Sequence, residues 1–298
     1  MTTFSALKSN RSSLQSLNEA IAKSTKSYAK EDADKFWNMS VDKALNGSAV
    51  IRFLPVGPKG AAKDLPWVKL YSHAFQGPGG WFIENCPTTN EGQKCPLCVY
   101  NTSLWNSGTE SNKTIVRKQK RKLTYITNIQ IITDPTQPEN NGQVKLFRFG
   151  AKIFEKLQDV MNPQFPDEKA VNPFDLWEGA NFMLKARNVE GYRNYDKSGF
   201  APASPLAKTE DEMQKVWEQA EPLSTFLGAD QFKSHEQLET RLNKVLGMEG
   251  PTHTTSAESA QSARVDVAPQ PTKVTPNSVA QVADEDELDY FKSLANNV

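Results

Sequence analysis

The sequence predicts an α+β fold with a β-rich centre, a small Greek-key barrel carrying peripheral helices, and three observations predict it. Short segments rich in β-branched and aromatic residues, bounded by Gly, Pro, Asn or Asp, recur through the middle of the chain. Helical periodicity interrupts them in a few separate places. A stretch with scarcely an aromatic residue, 250–283, follows this middle region. The predicted strands are Ala49-Val50-Ile51-Arg52-Phe53-Leu54-Pro55, Trp67 to Phe75, Trp81-Phe82-Ile83, Leu123 to Thr133, Val144 to Phe149 and Asn181 to Val189. The predicted helices are Lys152 to Met161, a stretch around Glu210 to Ala220, and Ser234 to Leu246. In the last of these, Ser234 and Gln237 form a capping box and Gly247 stops the helix. No sequence repeat recurs at a fixed period.

All three cysteines of the chain and one of its three histidines lie between His73 and Cys98. In Cys95-Pro-Leu-Cys98 a tight turn lets two thiolates reach one ion, and Cys86 and His73 complete a three-cysteine, one-histidine set of the kind that holds structural zinc. Four protein ligands leave no position open for water, so the ion folds the loop and does no chemistry. Residues 67–100 are therefore expected to form a zinc-dependent subdomain with one structural zinc. Scattered free thiols seldom gather beside a histidine. A redox Cys-x-x-Cys calls for a strand-to-helix context without the third cysteine or the Gly- and Pro-rich surroundings. A disulfide framework fits neither the odd count nor the absence of a recognisable secretory leader.

With 298 residues the chain can hold one large or two small domains, yet its hydrophobic content of 38% implies that part of it is unpacked. No apolar run approaches the roughly 20 residues needed to span a bilayer, which leads to the expectation of a soluble, intracellular protein without a membrane partner. The formal net charge is +0, but the charge is segregated. Ser111 to Thr133 contains no acidic residue and carries Lys113, Arg117, Lys118, Lys120, Arg121 and Lys122. Near the C-terminus, Asp284, Glu285, Asp286, Glu287 and Asp289 form an acidic cluster. Residues 250–283 between core and cluster are too poor in aromatic and apolar residues to offset chain entropy and read as a flexible linker. The 284–298 tail is then a partner-binding segment, an internal competitor for the basic surface, or a solubilising tail. In the first 43 residues, Leu14, Leu17 and Ile21 fall at helical spacing among Lys8, Arg11, Lys23, Lys26 and Lys30. This region reads as a short amphipathic basic arm or a solvated leader.

Aromatic rings are interleaved with positive charge inside the core, residues 44–249. Trp105 precedes the basic run, Tyr125 follows it, Phe147-Arg148-Phe149 alternates ring and cation along a strand, and Tyr192-Arg193-Asn194-Tyr195 repeats the pattern in a turn-like stretch. Phe147 and Phe149 share one strand face and Arg148 takes the other, so one of the two faces belongs either to the core or to a ligand. Cations along a groove neutralise phosphates, and flat rings stack unpaired bases at ~1–3 kcal/mol each. For any single aromatic the core reading stands beside the stacking one, with Tyr192 and Tyr195 the best placed for exposure.

The chain resembles the single-stranded-DNA-binding, helix-destabilising proteins of T-even bacteriophages and their cyanophage relatives. The resemblance rests on Ala49 to Pro55, the His73/Cys86/Cys95/Cys98 set, Lys120-Arg121-Lys122-Leu123-Thr124-Tyr125, Asp134-Pro135 with Pro138-Glu139-Asn140, Arg148-Phe149-Gly150 and Trp177 to Phe182. It implies an OB-fold core with one zinc, held by those four ligands, and an N-terminal arm through which the protein associates with itself cooperatively along DNA. It also implies an acidic tail that engages replication and recombination proteins such as a polymerase, a helicase loader and a recombinase mediator. Position by position, the basic-and-hydroxyl element corresponds to Lys120, Arg121, Lys122 and Thr124, with Leu123 where the family carries a hydroxyl. The basic flank of this element adds Arg117 and Lys118. The aromatic platform corresponds to Tyr125, Phe147, Tyr192 and Tyr195, beside Trp105 and Arg148. The arm's cations correspond to Lys8 and Arg11, separated here by Ser9 and Asn10. The expected role is sequence-tolerant binding that protects single-stranded DNA during viral replication, recombination and repair, in the cytoplasm of an infected bacterial host and not in secreted form.

Two other classes of function compete with this reading. A zinc hydrolase or nuclease needs an open metal position or a carboxylate cluster, and the sequence offers neither. A zinc-stabilised RNA-binding or scaffolding module uses the same patch of charge and rings, and remains the alternative.

Overall fold

A computed structural model of the protein describes residues 34–61 and 63–248. The arm with Lys8 and Arg11, the linker, and the tail with Asp284, Glu285, Asp286, Glu287 and Asp289 lie outside the described residues. The strands in chain order are β1 (Phe36–Trp37), β2 (Gly47–Phe53), β3 (Trp67–Gly77), β4 (Gly80–Asn85), β5 (Lys122–Thr133), β6 (Val144–Phe149), β7 (Ala180–Val189), β8 (Tyr192–Asn194) and β9 (Gly199–Ala203). The α-helices among the described residues are α1 (Pro96–Asn106), α2 (Glu110–Gln119), α3 (Ala151–Met161), α4 (Glu210–Trp217) and α5 (His235–Leu246). The chain divides into two compact units. One takes the described residues up to 68 with 125–187 and 195–225, and the other takes 69–124, 188–194 and the described residues from 226 onward.

The first unit is a mixed sheet with helices against it. β1 lies parallel to β6, and β6–β5, β5–β2, β2–β7 and β7–β9 pair antiparallel, with Thr127 opposite Phe147 and Phe53 opposite Ile129. The β2–β5 register shifts between Val50 and Ile51, an irregularity that sharpens the local twist. Ile51, Arg52 and Phe53 are all fully buried, so β2 is covered on both faces and cannot show a polar alternation. Phe53 meets Phe149, Phe174, Phe182 and Phe200 at centroid distances of 5.6–6.2 Å, and this cluster of tilted rings forms the centre of the unit.

Arg52, turned to the other face, donates to the carbonyl oxygens of Asp175 at 2.8 Å and Ser204 at 2.9 Å, and to Asn181 Oδ1 at 3.4 Å. Burial lowers its pKa while the nearby Asp175 charge opposes that shift. The 175–181 loop closes tightly around the guanidinium. A Cβ at Gly179 would lie 2.7 Å from Arg52 Nη2 and would also meet the Asp175 carbonyl, so only glycine fits. Gly179 and Asn181 thus answer to a buried cation far from them in sequence.

In the second unit, β3 and β4 form a hairpin closed by Gly77 and Gly80 around Pro78-Gly79. Leu238, Leu242 and Val245 line one face of α5 and pack with Phe75, Phe82, Cys86, Cys95 and Leu97. α5 has the boundaries its sequence predicts. Ser234 and Gln237 make the reciprocal capping box, and Gly247 takes the left-handed conformation with φ of 69°. Glu84 ties the hairpin to this helix through Lys233 at 2.5 Å and Arg241 at 2.8 Å.

Three elements depart from the sequence expectation, and one is Tyr192-Arg193-Asn194, which forms β8 and not a turn. The Cys95-Pro-Leu-Cys98 turn is the start of a helix, with Cys95 at its N-cap and Pro96 in its first turn, where a missing N–H costs nothing. The acid-free basic run is not one surface segment, because its first half forms α2 and its second half forms β5.

Candidate metal centre and nucleic-acid interface

The candidate metal centre is assembled from β3, the turn after β4, and the N-terminus of α1. Cys95 Sγ lies 3.7 Å and Cys98 Sγ 3.5 Å from His73 Nε2, and Cys86 Sγ lies 3.6 Å from Cys98 Sγ. All four ligand atoms fall within 4.8 Å of one another. A tetrahedral ion bound at roughly 2.0–2.3 Å requires ligand-to-ligand edges of about 3.5–3.8 Å, so the set fits a single metal ion. Cys86, His73 and Cys95 are 0%, 1% and 2% exposed, which closes the centre to solvent from three corners. His73 Nδ1–H donates to the Gln119 carbonyl oxygen at 3.0 Å and thereby turns the lone pair of Nε2 toward the sulfurs. Gln119 is the last residue of α2, so this carbonyl is one that the helix cannot satisfy internally. Asn101 Nδ2, buried in α1, donates to the same oxygen at 3.2 Å.

The proximity of the ligands shows in their acid-base behaviour. Burial pulls the His73 pKa down, but the Cys86 and Cys95 sulfurs overcome it and raise the value to about 9. Hydrogen bonds from Cys95 and Cys98 drive the Cys86 thiol far below the ordinary thiol range. Its bonds with Cys86 and Cys95, together with burial, push Cys98 far above it. Three thiols and an imidazole crowded this closely compete over negative charge, a conflict that a bound cation would relieve.

The expected strand-contacting residues separate into exposed and buried sets. Lys118, Lys122 and Arg148 are exposed, and Trp105, Arg117, Lys120, Arg121, Thr124, Tyr192 and Tyr195 are half-buried. Trp105 on α1 is flanked by Lys113 Nζ at 5.6 Å and Arg117 Cζ at 6.0 Å from its ring centroid. Glu110 pairs with both cations, and the hydrogen-bonding Arg117 guanidinium keeps the carboxyl below its ordinary range. Arg121 lies 4.1 Å over the Tyr71 ring, and Arg148 lies 3.8 Å over the Phe36 ring. Beside Tyr195, Asp196 forms a two-point pair with Arg187 at 2.6 and 2.8 Å that lowers its pKa to about 2.

Tyr125 and Phe147 take the core alternative. Tyr125 is 7% exposed and stacks on Phe154 at 4.0 Å and 4°. Phe147 is 6% exposed, packed on Trp37 at 5.5 Å and Phe149 at 5.4 Å, so the ring face of β6 points inward and Arg148 points outward. Sequence reasoning missed Gln119 and Asn101, whose carbonyl and side-chain amide meet beside His73.

Comparison with known proteins gives a consistent result. The family model described as gp32 DNA binding protein like matches residues 45–246. The chain is 37% identical over 228 residues to a protein of Enterobacteria phage T2 named single-stranded DNA-binding protein, covering 74% of this chain and 72% of the relative. A protein of the same name from Enterobacteria phage T4 is 36% identical over 230 residues, covering 74% and 73%. Another from Escherichia phage SV14 is 35% identical over 94 residues, covering 30% of this chain and 80% of the relative.

Proposed function

We propose, from the premise that this chain belongs to the gp32 DNA binding protein like family, that it binds single-stranded DNA without strict sequence preference during phage replication, recombination and repair. The observation that carries this reading is the match of residues 45–246, a span that includes the four-ligand centre and the cations around it. The ion is zinc, held by His73, Cys86, Cys95 and Cys98, because three thiolates and one imidazole in a closed set suit its softness and geometry. Its role is structural, and the protein is not an enzyme. The sheet of the first unit is read as an OB-fold barrel, supported by its antiparallel β6–β5–β2–β7–β9 pairing and the register shift in β2. Lys118, Arg121, Lys122 and Arg148 meet phosphates, the Lys120 ammonium being buried, and Tyr192, Tyr195 and Trp105 meet bases.

The arm, residues 1–43, joins neighbouring copies through Lys8 and Arg11. The tail, with Asp284 to Asp289, recruits replication and recombination proteins. The work is done in the infected bacterial host. Competition against a labelled single DNA strand tests the reading, using unlabelled DNA, RNA and duplex DNA of equal length. Single-stranded DNA is expected to compete best. An RNA strand that competes better would move the assignment to an RNA-binding module.

A further inference from the structure

The turn after β4 faces the metal centre on one side and a pair of cations on the other. Thr88 Oγ1 lies 3.0 Å from Cys86 Sγ and accepts a hydrogen bond from Arg121 Nη1 at 2.8 Å. A hydroxyl has one proton to give and two lone pairs, so it can serve the sulfur and the guanidinium at once. The same turn is stitched to β3, because Cys86 N donates to the Tyr71 carbonyl at 2.8 Å and Tyr71 N donates to Thr89 Oγ1 at 2.9 Å. The Tyr71 ring is then covered by Arg121 at 4.1 Å and approached by Lys69 Nζ at 5.2 Å.

Arg117 and Lys113 share a carboxylate, but among the described residues no carboxylate pairs with Arg121 or Lys69. Arg121 is held by neutral partners, a hydroxyl and a ring, and one Nη1 bond accounts for a single one of its five N–H donors. A guanidinium held in direction but not neutralised is suited to an incoming phosphate.

We propose that Lys69, Tyr71 and Arg121 form a phosphate- and base-contacting element of the single-strand surface, and that Thr88 is the positioning residue that aligns Arg121 from the metal centre. The proposal rests on the reading that the chain binds single-stranded DNA, and it adds Lys69, Tyr71 and Thr88 to that site.

Equilibrium binding of a short thymidine oligonucleotide across a salt series tests it, with zinc content measured on each variant. Lys69→Ala and Arg121→Ala should each flatten the log affinity against log salt slope by about 0.7. Tyr71→Leu, added to Arg121→Ala, should weaken binding further with the slope of that variant unchanged. Thr88→Val should keep about one zinc per chain and weaken binding at least roughly tenfold, as expected for a lost hydrogen bond to a charged group. Thr88→Ser should restore it. Adding Thr88→Val to Arg121→Ala should cost nothing further, because the hydroxyl acts through that guanidinium. Unchanged slopes in Lys69→Ala and Arg121→Ala would overturn the contact element. A Thr88→Val variant that binds normally, loses its zinc, or adds its full effect to Arg121→Ala would overturn the positioning role. Failure of the unaltered chain to bind the oligonucleotide would instead sink the reading on which the proposal rests.

Discussion

At the scale of single residues, function follows from which atoms are left facing outward. The four ligands could be read from the sequence because every cysteine falls beside one histidine, and thiols concentrated in that way have few other uses. Their supporting shell was not legible, since Gln119 contributes a backbone carbonyl and Asn101 and Thr88 are ordinary polar residues until folding brings them to the centre. Cys95→Ser should lower bound zinc well below one per chain and reduce thermal stability, measured by elemental analysis and calorimetry, because a buried thiolate ligand is lost. The aromatics show the reverse problem. A ring suits a base and a core equally well, and only burial decides between them. Phe147→Ala is expected to cost about 3–5 kcal/mol of folding stability in denaturant titration, as for a core ring. Tyr195→Ala should leave stability nearly unchanged and cost ~1–3 kcal/mol of strand binding with little change in salt slope.

At the scale of elements, legibility tracked local signal. α5 announces itself with a capping box, an apolar stripe and a terminal glycine, and each appears where expected. Ser234→Ala should therefore cost about 1 kcal/mol, read as a lower urea midpoint at constant slope. α1 offers Pro-Leu-Cys-Val-Tyr-Asn-Thr-Ser-Leu-Trp-Asn, a run of weak helix formers with little amphipathic contrast, so nothing local distinguishes it from a loop. Tertiary context overrides that preference, because Cys95 and Leu97 belong to the core that Phe75, Phe82 and α5 complete. α2 was concealed differently, its cations drawing attention to charge and away from Val116 and Gln119, the residues it buries. β2 was recognised as a strand from its β-branched run, but the burial of Arg52 depends on carbonyls at Asp175 and Ser204, far along the chain.

At the scale of the whole molecule, a net charge of +0 conceals a basic run inside the core and an acidic cluster near the end. Deleting residues 1–20 should leave affinity for a short oligonucleotide nearly intact and strongly reduce cooperative filling of a long strand, followed by titration of both lengths. Deleting residues 284–298 should tighten binding at low salt, an effect that salt erases early because exposed charges more than ~10 Å apart are screened at 0.1 M. The proposed function turns on one property, the holding of single-stranded DNA through phosphates and stacked bases. Its most direct test is the affinity of the zinc-loaded full chain for two unrelated single strands and for one duplex, measured by fluorescence anisotropy across a salt series. Similar affinities and similar negative salt slopes are expected for the two single strands, with the duplex bound far more weakly. Equal or tighter binding to the duplex, or single-strand affinity that does not fall with salt, would contradict it.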